Sequence, residues 1–178
     1  MIKYCLQQWD KNKDKLEAAI RGDTAIINEE LEYVYLVKLV VKYILNEGEE
    51  VGNRQGMWNS EKIYTIDDGQ WQGTQLFLIP KDTYVPAEHE YLMTFVDYGS
   101  CAGCDTLKYI MHGYDDYDGS GKYPTEQQVQ DYMTLCRDLT SHMIVPYNFG
   151  WRHEEHKSMV TNQNRASRAI NRYNAPSA

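Results

Sequence analysis

Cys101 and Cys104 are separated only by Ala102 and Gly103. That spacing puts two sulfurs on one tight turn. A tetrahedral zinc ion needs sulfurs held close together, with backbone amides turned inward to support them. Gly103 eases such a turn, and a helix beginning just after it would favour ionised thiolates. One pair is half of a structural site, so two more ligands must come from elsewhere. Cys136 is the best third candidate, because its place on the apolar stripe of a helix turns it inward. Its plain alternative is a small buried residue, as free cysteines commonly are. Cys5, near the N-terminus on another helix, is a weaker candidate. The fourth ligand is either Asp105, through oxygen, or His112, through nitrogen. Asp105 competes with a second role as a carboxylate at a helix start. His142 lies six residues from Cys136, about 9 Å along a helix axis, too far for both to hold one ion unaided.

The same pair has a redox reading. A thioredoxin-like pair follows a strand and precedes a helix, and this sequence supplies both. It lacks a tryptophan before the first cysteine and the parallel βαβ setting. His153-Glu154-Glu155-His156 spaces its histidines by three, where a zinc-protease helix needs four. Asp115, Asp116 and Asp118 with Gly119 fail the calcium-loop pattern, because Tyr114 and Thr125 would occupy its first and twelfth places. No phosphate-binding loop, dinucleotide fingerprint or nucleophile elbow is present.

The elements that must position these residues follow from periodicity. Leu6, Trp9, Leu16, Ala19 and Ile20 give a helical stripe over 4–20. Tyr33, Leu36, Val37, Val40, Val41 and Ile44 give another over 29–46, stopped by Gly48. Residues 47–60 are polar and glycine-bearing, a loop or disordered stretch with Trp58 as an anchor. The period then changes to two. Strands are predicted over 62–66, 74–79 and 90–98, the first two joined at Asp67-Asp68-Gly69. In the third, Tyr91, Met93 and Phe95 share one face and Leu92, Thr94 and Val96 the other. A short helix over 105–111 follows the cysteine pair. Pro124-Thr125-Glu126-Gln127-Gln128 announces a capped helix, Thr125 and Gln128 forming a capping box, that runs to about Ile144 before Pro146. The expected class is α+β: N-terminal helices, a small antiparallel sheet and C-terminal helices, stabilised by a bound metal.

The 178 residues suit one domain over 1–146 with a basic, loosely held tail over 147–178. The tail carries five basic residues against two acidic ones, so the net charge of −8 is concentrated in the body. An acidic body disfavours direct nucleic-acid binding and favours a basic, nucleic-acid-binding protein as partner. Fifteen tyrosines against three phenylalanines suggest a recognition surface. No segment has the length and apolarity of a membrane span, and no signal-peptide core follows Met1, so a cytoplasmic protein is expected.

Tyr98-Gly99-Ser100-Cys101-Ala102-Gly103-Cys104-Asp105-Thr106-Leu107, with Asp67-Asp68-Gly69, Gly73-Thr74, Lys81-Asp82-Thr83-Tyr84 and Pro124-Thr125-Glu126-Gln127-Gln128-Val129, resembles a family of small phage-encoded proteins. Trp9-Asp10-Lys11-Asn12-Lys13 fits the same pattern. The similarity covers roughly 6–145. The chain also resembles zinc-containing anti-CRISPR proteins directed at type II effector nucleases. That resemblance implies a stoichiometric inhibitor rather than an enzyme, acting in the bacterial host cell. It also implies Cys101, Cys104 and Cys136 as zinc ligands; Asp105, or His112 in its place, would complete the set. The alternative is a thiol redox enzyme using Cys101 and Cys104.

Overall fold

The structure is a computed structural model that describes residues 1–27, 31–52, 56–112 and 123–146. The predicted tail, the acidic stretch around Asp115–Asp118 and the His153/His156 pair lie outside these residues. The class is α+β: two N-terminal helices, a three-stranded antiparallel sheet, then two C-terminal helices.

Helix α1 spans Ile2–Gly22. It buries Cys5, Trp9, Asn12, Leu16 and Ile20, one face at helical spacing, and leaves its lysines and aspartates outside. Helix α2 begins at Tyr33 rather than 29. It is α-helical to Leu39 and continues as a wider π-type turn over Val40–Leu45. The chain leaves this turn through Gly48, at φ 87°, a conformation that glycine adopts without side-chain strain. Asn12 donates from α1 to the Ile44 carbonyl at 3.0 Å, a buried polar tie between the two helices.

Part of the expected loop over 47–60 is built into the fold. Trp58 is buried, and Asn46 holds its backbone on both sides, donating to its carbonyl at 2.7 Å and accepting from its N–H at 3.1 Å. Trp58 also bridges to Lys81 beyond the second strand.

Strands β1 (Tyr64–Asp67), β2 (Gly73–Pro80) and β3 (Tyr91–Tyr98) pair in sequence order. Asp67 faces Gln75 across the first pair, and Gly73 faces Tyr98 across the second. The period-two pattern sorts the faces. Phe77, Ile79, Leu92 and Val96 join the helices in the main core. Leu76, Leu78 and Met93 form a smaller cluster with Tyr64, Ile66, Tyr91 and Phe95 on the other side.

Helix α3 spans Thr106–His112 and α4 spans Glu126–Ser141. The predicted capping box on α4 is present: Gln128 N–H donates to Thr125 Oγ1 at 3.2 Å, and Thr125 N–H to Gln128 Oε1 at 2.9 Å. The helix stops three residues before the expected Ile144, because Ile144 exchanges both backbone hydrogen bonds with Met93 of β3. Thr94 of β3 donates to the Leu139 carbonyl at 2.7 Å, locking helix to sheet. Arg21 at the end of α1 makes a two-pronged contact with the Glu126 carboxylate at the start of α4. Hydrogen bonding from Arg21 brings Glu126 down to about 2.

Candidate functional site: an exposed dithiol turn at one end of the sheet

The register fixes where the cysteine pair lies. β3 ends at Tyr98, opposite Gly73. The turn over 99–105 therefore leaves the sheet at the same end as the β1–β2 turn.

Cys101 and Cys104 are both exposed free thiols. The turn between them is closed by the Cys104 N–H donating to the Cys101 carbonyl at 3.0 Å. Their sulfurs are 2.9 Å apart. The Cys101 N–H donates to Cys104 Sγ at 3.2 Å. Hydrogen bonds from the Cys101 side chain and then from its backbone lower the Cys104 thiol pKa below its ordinary value, with further help from Ser100.

Gly99 is part of this geometry. A Cβ there would lie 2.4 Å from both the carbonyl oxygen and the Sγ of Cys104, so the Cys104 sulfur rests where only glycine leaves room. At Gly103 an added Cβ would meet only Cys101 Sγ, at 3.9 Å, an ordinary contact.

Asp105 anchors the turn to the fold. It is 4% exposed. Its Oδ1 accepts from the Tyr33 hydroxyl at 3.0 Å and the Lys108 N–H at 2.9 Å. Its Oδ2 accepts from the Gly99 N–H at 3.3 Å. Tyr33 in turn accepts from the Leu107 N–H at 3.1 Å. One carboxylate thus ties the strand exit, the start of α3 and helix α2 together. The burial and buried donors around it identify its competing role, the helix-start carboxylate, as the one it fills. His112, the other candidate ligand, is exposed at the end of α3. It lines a cleft of about 280 Å³ with Tyr33, Tyr98, Asp105 and Lys108.

Cys136, the expected third ligand, is placed in the core. It does lie on the inward face of α4, but that face packs into the apolar core beside Val129, Tyr132 and Leu139. It is fully buried, and burial pushes its thiol up to about 12. Cys5 is likewise buried and pushed up to about 11. Among the described residues no group of three or more His, Cys, Asp or Glu side chains is placed to hold a metal ion. Among the described residues Cys136 and Asp105 are thus not grouped with Cys101 and Cys104 in one metal-holding cluster. Cys101 and Cys104 alone come together.

The neighbouring β1–β2 turn, predicted at Asp67-Asp68-Gly69, is braced by side-chain hydrogen bonds. Asp67 Oδ1 accepts from the Gly69 N–H at 2.9 Å and the Tyr98 hydroxyl at 2.7 Å, and its Oδ2 accepts from the Gln75 amide at 3.1 Å. Asp68 Oδ1 accepts from the Thr74 N–H at 2.7 Å. Thr74 donates from its hydroxyl to Asp97 at 2.7 Å. Burial opposes ionisation of Asp67, but its donors outweigh that and hold its pKa below the ordinary carboxylate value. Trp71 stands out from this braced acidic turn at 78% exposure. Nothing in the sequence pattern marked it, because a lone tryptophan in a turn carries no periodicity.

No helix among the described residues is long and apolar enough to cross a membrane. No protein-family model matches the sequence, and no curated protein and no solved structure matches the chain.

Proposed function

We propose that the chain is an acidic protein-binding module that blocks a basic, nucleic-acid-binding protein. The observation that carries this reading is Trp71, 78% exposed, on a turn whose carboxylates Asp67 and Asp68 are held rigidly beside Asp97 at the same sheet end. A projecting aromatic ring supplies the apolar anchor of an interface. The surrounding carboxylates supply charge complementarity to lysines and arginines, which speeds encounter and fixes orientation. The net charge of −8 acts in the same direction. The resemblance to anti-CRISPR proteins makes a type II CRISPR effector nuclease the partner to test, since its guide and target channel is positively charged. This reading does not need the zinc that the resemblance implies.

The test is DNA cleavage by a purified, guide-loaded type II effector with increasing amounts of the chain. Cleavage is expected to stop near one chain per effector and to recover as salt is raised. Trp71→Ala should weaken inhibition by about tenfold or more. Tyr84→Ala, at the opposite end of the sheet and fully exposed, should leave it unchanged. Undiminished cleavage at large excess, with no comigration on gel filtration at low salt, would overturn the reading.

A further inference from the structure

We infer that Cys101 and Cys104 form a thiol–disulfide exchange couple, able to pass two electrons to a disulfide substrate. The inference stands apart from the protein-binding reading, since it uses neither Trp71 nor the acidic turn.

Three features of the geometry carry it. The sulfurs are 2.9 Å apart, so closing a disulfide of about 2.0 Å requires them to approach by only about 0.9 Å. The intervening backbone is already turned, with the Cys104 N–H on the Cys101 carbonyl. Both sulfurs face solvent, where a disulfide can reach them. The scaffold beneath the turn, buried Asp105 and Tyr33 with the Lys108 backbone N–H, is independent of either sulfur, so the couple can change state without dismantling the fold. Gly99 adds a position-specific requirement, because it alone makes room for Cys104 Sγ.

The Cys101 N–H that Cys104 Sγ accepts supports negative charge on that sulfur, and on this contact we assign the first attack to Cys104. The Cys104 thiolate attacks one sulfur of the substrate disulfide. A Cys104–S bond forms, the substrate S–S bond breaks, and the first thiolate leaves and takes a proton from solvent. Cys101 then gives up its proton and attacks Cys104 Sγ. The Cys101–Cys104 bond forms and the second substrate thiolate leaves, taking up a proton. The two cysteines are oxidised by two electrons, and the substrate is reduced to two thiols.

The test equilibrates the full chain with reduced and oxidised glutathione at graded ratios, quenches in acid, alkylates, and maps the peptides by mass spectrometry. A Cys101–Cys104 crosslink should form and reverse with the ratio, while Cys5 and Cys136 stay reduced. Cys101→Ser should accumulate a mixed disulfide with glutathione at Cys104. Gly99→Ala should shift the midpoint ratio by about tenfold or more, and Gly103→Ala should leave it near wild type. Circular dichroism checks that each variant is folded, and the wild-type titration decides the matter whether or not they are. Separate glutathione adducts without the crosslink would overturn the inference. So would thiols that resist both glutathione and alkylation until a chelator removes bound zinc.

Discussion

Cys5 and Cys136 lie on two helices packed against each other, both fully buried, whereas Cys101 and Cys104 stand on an exposed turn beyond the sheet. The same side chain therefore has two chemistries in one molecule. In the core, desolvation penalises the thiolate and leaves a small, neutral, apolar filler. On the turn, an N–H and a neighbouring thiol stabilise the sulfur charge at Cys104. Residue type alone does not separate the two pairs. The backbone does: a helix stripe delivers a thiol to the apolar layer, and a closed four-residue turn delivers two thiols to each other.

The sharpest way to break this comparison is reactivity. A thiol reagent of moderate size should modify Cys101 and Cys104 in the native chain on the time of ordinary exposed thiols. Cys5 and Cys136 should react only through opening of the core, at least about a thousandfold more slowly given the stability of a packed domain. Site-resolved alkylation followed by peptide mapping reads all four rates at once. Comparable rates at Cys136 and Cys104 would mean that the core assignment of Cys136 is wrong.

A smaller effect is expected on stability. Cys136→Ser puts a hydroxyl in an apolar site and should cost about 1–3 kcal/mol, read from the urea midpoint. Cys101→Ser changes an exposed turn and should stay within about 0.5 kcal/mol. Reversal of that order would show that the turn, rather than the helix layer, carries the structural thiol. Asp105→Ala belongs with the buried class despite its place in the turn. It orphans the Gly99, Lys108 and Tyr33 donors, and about 2–3 kcal/mol is expected.

Much of this arrangement was legible from spacing. The alternation along Tyr91–Val96 placed both faces of β3 correctly, because one apolar layer lies on each side of the sheet. Thr125 and Gln128 marked the start of α4, because capping is a local matter of four residues. The end of α4 was not legible. It depends on Ile144 pairing with Met93, a contact across about fifty positions that no window along the chain contains. The stripe also placed Cys136 inward correctly, yet inward proved to be the core rather than the dithiol turn. A stripe gives direction around a helix axis and says nothing of what lies at that bearing. Asp105 shows the same limit: adjacency to Cys104 suggested a ligand, and its tertiary donors Tyr33 and Gly99 decided for an anchor.

The smallest effect separates the buried thiols by pH. Cys136 is raised in the fold from an ordinary 9.0 to about 12, and Cys5 to about 11, chiefly by burial. A raised folded value means that the native state keeps a proton that the unfolded chain releases. Each thiol's contribution is therefore intact below pH 9.0 and is lost progressively as pH climbs toward the folded value. Tyr33 and Tyr35, also raised mainly by burial, add to the same alkaline loss at higher pH. Urea midpoints measured from pH 8 to 11 should fall for the wild-type chain. They should fall less for Cys136→Val, which removes one ionisable group at nearly constant volume. Cys101→Ser, with Cys104 lowered rather than raised, should not flatten the curve, and an equal flattening by both variants would erase the distinction between the two pairs.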